Sequence, residues 1–251
     1  MQIVNSLYGG EVKLIFDDLM HRYTLNGKRA PGVTSIIAGA IPKPALMYWS
    51  ANVAADHFRS MLEEDTTYTA EYLDEVCKEA RAAHVTKKTD AGACGTQVHN
   101  WIEAYIKGQR PKPSEDPVVR GAVMRFLSWK KERGVKFLSS EQIVYSRFYD
   151  YAGKVDFFAL IEGKLWLCDI KTSKAIFPEF WVQTGSYLLA RTEEYPEEIS
   201  KFAGVCIIRV GKEDGEMDVV YKTDMEPYKQ CFLDALALYR SLEIVNPPKY
   251  A

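Results

Sequence analysis

No apolar run in this chain approaches the roughly 18 residues that a membrane-crossing helix needs, and no charged-then-apolar leader opens it. The expectation is a soluble, cytoplasmic protein without a membrane partner. Cysteine is sparse: Cys77, Cys94, Cys168, Cys206 and Cys231 are scattered and form no Cys-x-x-Cys pair, which reads as reduced, structural thiols. Charge of one sign is also lacking. A net charge of −2 argues against a protein that coats nucleic acid nonspecifically, though a local basic channel remains open to it. Lys87, Lys88, Lys107, Arg110 and Lys112 are the candidates for such a channel. Internal repeats, low-complexity tracts and linkers are absent too. With 251 residues and 47% hydrophobic content, residues 1–251 can bury the core of one elaborated domain.

The pattern along the chain predicts a mixed α/β fold. Val12 to Phe16 and Arg22 to Leu25 read as a small hairpin. Helices are expected over Val33 to Ala40, Pro44 to Met61, Glu71 to His84, Gly95 to Lys107 and Val118 to Glu132, with a proline-broken loop from Pro111 to Pro117. Gly92 and Gly95 are expected to permit close approach of a neighbouring element. Strands follow at Lys136 to Arg147, Lys154 to Ile161 and Lys164 to Ile170. A helix from Pro178 to Ala190 then leads to strands Phe202 to Val210 and Met217 to Lys222, with Asp214-Gly215 as their turn. Glu226 to Leu242 closes the chain as a helix. The picture is an N-terminal hairpin and helical cap, about 1–90, over a mixed central sheet, about 91–251, forming a cleft or tunnel.

The stretch from Gly153 to Tyr187 carries the chemistry. It reads Gly-Lys-Val-Asp156, an apolar run, Cys-Asp169-Ile-Lys171-Thr-Ser, then Gln183-Thr-Gly-Ser-Tyr187. Glu162-Gly163 reads as a tight turn, so antiparallel pairing brings Asp156 beside Asp169. Residues two apart on a strand share a face, so Asp169 and Lys171 point together while Ile170 points into the opposite layer. Two carboxylates with the Ile170 backbone carbonyl make a hard oxygen site suited to Mg²⁺ or Mn²⁺. Lys171 is placed to steady charge on a reacting phosphate or to orient water. An acid that ends a buried strand (Leu165, Trp166, Leu167 and Cys168 precede Asp169) wants a partner or a metal, so a merely solvated ion pair is the weaker reading.

These residues resemble the PD-(D/E)XK nuclease superfamily, in particular its RecB-like exonuclease branch. That branch holds phage exonucleases, the mitochondrial genome maintenance exonuclease and CRISPR-associated RecB-like nucleases. The likeness covers roughly residues 92–190. Val33-Thr34-Ser35-Ile36-Ile37 and the run from Pro42 to Trp49 are similar, more loosely, to phage-type members. The resemblance implies a restriction-endonuclease-like sheet and a metal site completed by His99 of the Gly95 to Tyr105 helix. It also implies an acid near the metal or substrate at Glu141, with Glu103 one turn from His99 as a second such candidate. Gln183 and Tyr187, neighbours on a helical face, would organise the site and contact the nucleic-acid backbone. Thr172, Ser173 and Lys174 could donate to phosphates; Phe177, Phe180 and Trp181 could stack bases, though helix packing is the commoner role. His21, His57 and His84 carry no motif. The cysteine trio that holds an iron–sulfur cluster in some relatives is missing, so no cluster is expected.

The expected activity is a Mg²⁺- or Mn²⁺-dependent deoxyribonuclease, foremost an exonuclease trimming DNA ends in recombination, repair or phage DNA processing. Its partners would be DNA and phage or host recombination proteins, in a bacterial or phage-infected cell. An endonuclease of the same superfamily and a catalytically silent nucleic-acid-binding protein are the alternatives. Polarity, strand preference, DNA against RNA and oligomeric state stay open.

Overall fold

The computed structural model describes residues 2–211 and 216–246. The expected Asp214-Gly215 turn lies outside them. The chain divides into two compact units, one of Met1–Ile41 with Val98–Ala251 and one of Pro42–Gln97.

The larger unit holds two sheets. The first is a four-stranded antiparallel sheet of β1 (Gln2–Leu7), β2 (Val12–Asp17), β3 (Arg22–Leu25) and β4 (Lys28–Ala30). The expected hairpin is its centre, and β1 and β4 extend it on either side. Burial alternates along β2, where Val12, Leu14 and Phe16 are buried, as the period of two demands of a sheet with one packed face. That face joins Tyr23, Ile143, Tyr145 and Ala152 in one apolar cluster, so the first 41 residues pack into the core instead of forming part of a cap.

The second sheet runs β5 (Lys136–Ser146), β6 (Tyr151–Ile161), β7 (Lys164–Lys171), β8 (Phe202–Val210) and β9 (Met217–Lys222) in spatial order. All neighbours are antiparallel except β7 and β8, which are parallel. The turn between β6 and β7 has Glu162 at φ 52° and Gly163 at φ 78°, the left-handed pair of a two-residue hairpin loop. Parallel pairing of β7 and β8 demands a crossover, supplied by α5 (Pro178–Glu194). With α1 (Val33–Ala40) and α6 (Glu226–Val245) it covers one face, burying Ile36, Leu167, Trp181, Ile207 and Phe232 in a single cluster. On α4 (Pro117–Glu132), Phe126 stacks on Phe137 and meets Phe157 edge-on. The mixed α/β architecture, with a mixed sheet flanked by helices, is therefore the one expected.

The smaller unit holds α2 (Pro44–Ser60) and most of α3 (Ala70–Ile106). Two separate helices were expected where α3 runs unbroken for 37 residues. Residues 85–94 contain no proline, and one internal glycine weakens a helix by only about 1 kcal/mol, which neighbouring turns absorb. Gly92 does not permit the close approach expected of it: a Cβ there would meet nothing within 4 Å. Among the described residues no helix is long and apolar enough to cross a membrane.

Candidate metal centre

Three acidic residues stand on one rung of the second sheet. The β6–β7 ladder ends at Phe157 opposite Cys168, and one step further the same register sets Asp156 opposite Asp169. On the other side Gln142 pairs with Val155 and Ser140 with Phe157, which sets Glu141 opposite Asp156. Here the ladder opens. Asp156 Oδ2 accepts the Ile170 backbone N–H at 2.7 Å, so a carboxylate takes the place of a ladder bond. Glu141 adopts φ 55°, a left-handed conformation that costs a non-glycine residue about 1–3 kcal/mol and turns its side chain out of the regular pleat.

Lysines face these acids. Lys171 Nζ lies 2.6 Å from Asp169 Oδ2, and Lys154 pairs with Glu141. Lys171 is the ion-pair partner of Asp169 Oδ2, which is otherwise buried without a hydrogen-bond partner. Asp169 is 2% exposed. Burial pushes its pKa up to about 6, against the pull of Lys171. Burial also raises Asp156 and Glu141 above the ordinary carboxylate range; Lys171 opposes the first shift and Lys154 the second.

His99 reaches this group from α3. Its Nδ1 is 3.6 Å from Asp156 Oδ2. Burial, then the Lys171 charge, lowers its pKa, so the imidazole is neutral and able to ligate. Glu103, a turn further along, pairs with Lys107 and adds its charge to the field at Glu141 and Asp156.

Gln183 and Tyr187 sit behind the lysine. Gln183 Oε1 accepts from Lys171 Nζ at 3.2 Å, and Gln183 Nε2 donates to Tyr187 Oη at 2.7 Å. Tyr187 is 3% exposed. This corrects one expectation: the Tyr187 side chain is closed to a nucleic acid and instead holds Gln183, which holds Lys171. The Tyr187 ring lies against the Gly153 backbone, where a Cβ would come within 2.4 Å of its Cε1. The Gly-x-x-Asp and Gln-x-x-x-Tyr motifs are thus two halves of one packing contact.

The remaining candidates are dispersed. Ser173 Oγ is occupied by its bond to the Ala175 carbonyl, and Thr172 is half-buried. Trp181 is buried in the main cluster, with Phe180 packed against it and Phe177 edge-on to Phe180. Lys87, Lys88, Lys107, Arg110 and Lys112 are all exposed. Lys154 is the residue the sequence reading passed over. The i, i+2 rule that links Asp169 to Lys171 links it equally to Asp156.

No protein-family model matches this chain, and none of the curated proteins does. One solved structure, described as "Crystal structure of SSO0001", is similar at 12% identity and a TM-score of 0.32, over 82% of this chain and 89% of that one. A likeness so loose carries no argument. The site must be read from its own chemistry.

Among the described residues no three His, Cys, Asp or Glu side chains form a ready cage for a cation. The donor set still fits one. A buried carboxylate oxygen without a hydrogen-bond partner, two further acids on the same rung, a neutral imidazole and a backbone carbonyl suit a hard divalent ion. Holding it requires Lys171 to yield Asp169 Oδ2.

Proposed function

We propose that this protein is a Mg²⁺- or Mn²⁺-dependent deoxyribonuclease that hydrolyses phosphodiester bonds, acting foremost from DNA ends. The observation that carries this reading is the meeting of Asp156, Asp169, Lys171 and His99 where the β6–β7 ladder opens. Few activities other than phosphodiester hydrolysis call for two carboxylates, an imidazole and a lysine held by a side-chain amide in one site.

Asp156, Asp169, His99 and the Ile170 carbonyl would hold the cation. When bound, it supplies Lewis acidity to the phosphate and acidifies a water. Lys171, released from Asp169, places its ammonium against charge developing on the phosphate oxygens. Gln183, fixed by Tyr187, keeps that ammonium from swinging away, so its orientation does not have to be found anew in each turnover.

The assay uses end-labelled linear single- and double-stranded DNA beside a closed circle, with Mn²⁺, Mg²⁺ or EDTA. Metal-dependent loss of the linear species with the circle spared is expected, and Lys171→Ala should lower the rate at least about a hundredfold, as removal of one charge-stabilising group does elsewhere. Cutting of the circle would make it an endonuclease. Binding without cleavage under any metal would make it a silent binding protein.

A pH limb follows from Asp169. The carboxyl must ionise to hold a cation, and its pKa stands at about 6. At subsaturating metal, cleavage should therefore fall as pH drops through about 6. Saturating metal favours the ionised form and should move the limb to lower pH. Rate profiles at two Mn²⁺ concentrations decide it; a limb indifferent to metal would remove Asp169 from the ligand set.

A further inference from the structure

We propose that Lys154 is a phosphate-binding residue of this site, and that Glu141 is its resting counter-ion, released when the backbone of a nucleic-acid strand arrives. This rests on the nuclease reading above and adds to it a residue that reading does not use.

Lys154 stands two residues before Asp156 on the same face of β6, and continuing the β6–β7 register sets it opposite Lys171. A rung of carboxylates (Glu141, Asp156, Asp169) is therefore followed by a rung with a lysine on each side of the opened ladder. Both lysines act electrostatically on Asp156. Lys171 has a buried partner in Asp169 and a half-buried one in Gln183. Lys154 differs: 24% of its side chain is exposed, and its ion pair is with Glu141. Glu141 is brought to it by a left-handed backbone that a purely structural surface pair would not require.

The lysine is also held in reach. Its ammonium lies 5.3 Å from the centre of the Phe16 ring, which is itself held by the Tyr23 ring stacked at 4.9 Å and the His21 ring edge-on at 5.3 Å. Glu141 pairs with it, and Asp18 and Glu103 add negative potential around its ammonium. A charged, partly exposed lysine beside the reacting group, restrained by an aromatic face, has the properties of a phosphate anchor. A phosphodiester presents anionic oxygens as Glu141 does, so one can take the place of the other on the lysine.

Two variants should move in opposite directions. Binding of fluorescein-labelled oligothymidylate is followed by anisotropy in EDTA, across a series of KCl concentrations, so that no turnover intervenes. Lys154→Gln keeps the stem on Phe16 and should weaken binding about tenfold, with the log–log salt slope reduced by about one. Glu141→Gln frees the lysine and should strengthen binding. Lys154→Arg should restore most of the loss. A merely structural ion pair predicts that both glutamine variants shift binding alike or not at all, and that result overturns the proposal. Wild-type protein without salt-dependent binding would overturn this proposal, as would wild-type binding with an unaffected Lys154→Gln, whereas the nuclease reading falls only if the cleavage assay shows no metal-dependent loss of DNA.

Discussion

Asp169→Asn will abolish metal-dependent cleavage and, in the same protein, raise the melting temperature measured in EDTA. The ionised carboxyl is buried to 2% exposure, and its pKa is raised from 3.8 to about 6 even with Lys171 beside it. A carboxyl whose folded pKa is raised binds its proton more tightly when folded. The stability this carboxyl contributes is thus fully present below about pH 4 and is lost as pH rises through about 6, where the folded protein too must ionise. Above that pH the charge costs the fold about 1–3 kcal/mol. Asparagine has nearly the same shape and no charge, so the cost disappears. It also removes a like charge from Asp156, which faces Asp169 across the open rung. The expected gain at pH 8 is several degrees. Mn²⁺ should raise the melting temperature of the wild type, because it binds only the folded carboxylates, and should do so far less for Asp169→Asn. A lower melting temperature for the variant would show that the Lys171 attraction outweighs burial, and the account of the site as a strained, metal-seeking arrangement would fail.

Gly153→Ala should lose both stability and activity, through a residue that touches no substrate. The added Cβ would stand 2.4 Å from Cε1 and 2.7 Å from Cδ1 of Tyr187, and 3.3 Å from Val33 Cγ2. No real side chain tolerates the first two distances. The ring is buried, so it must displace its neighbours, at about 1–3 kcal/mol. Its hydroxyl would leave Gln183, and Gln183 would no longer fix Lys171, so turnover should fall at least about tenfold while metal binding to the acids persists. Tyr187→Phe serves as the companion, since it removes the hydroxyl without a clash and should lower turnover with little loss of melting temperature. If Gly153→Ala melts and cleaves as the wild type does, the motif glycine has another purpose.

Much of the fold was legible from local signals. α1 and the strands at Phe202 to Val210 and Met217 to Lys222 begin and end where periodicity puts them, because each has a compact apolar pattern and clear boundaries. β1 and β4 were not legible. Gln2 to Leu7 is mostly exposed, so it shows no alternation, and Lys28 to Ala30 is too short to carry a period. Both are strands because β2 and β3 offer them ladder partners. The continuous α3 was hidden for a related reason: its polar middle has no apolar stripe, and backbone hydrogen bonding carries the helix through.

The sequence alone determined that Asp156 and Asp169 meet. Two strands, a two-residue turn and thirteen positions between the acids leave antiparallel pairing little choice. It likewise determined that Asp169 and Lys171 share a face, since strand geometry has a period of two. Only the tertiary structure decided the rest. Glu141 joins the rung through a left-handed backbone that no spacing announces, and its carboxylate pairs there with Lys154. Tyr187 faces inward because Gly153, 34 positions earlier, leaves room for its ring. Local covalent geometry fixes which residues are neighbours along an element. Which of them share a charge, a ring face or a hydrogen bond depends on contacts between elements far apart in the chain, and those exist only once the core has formed.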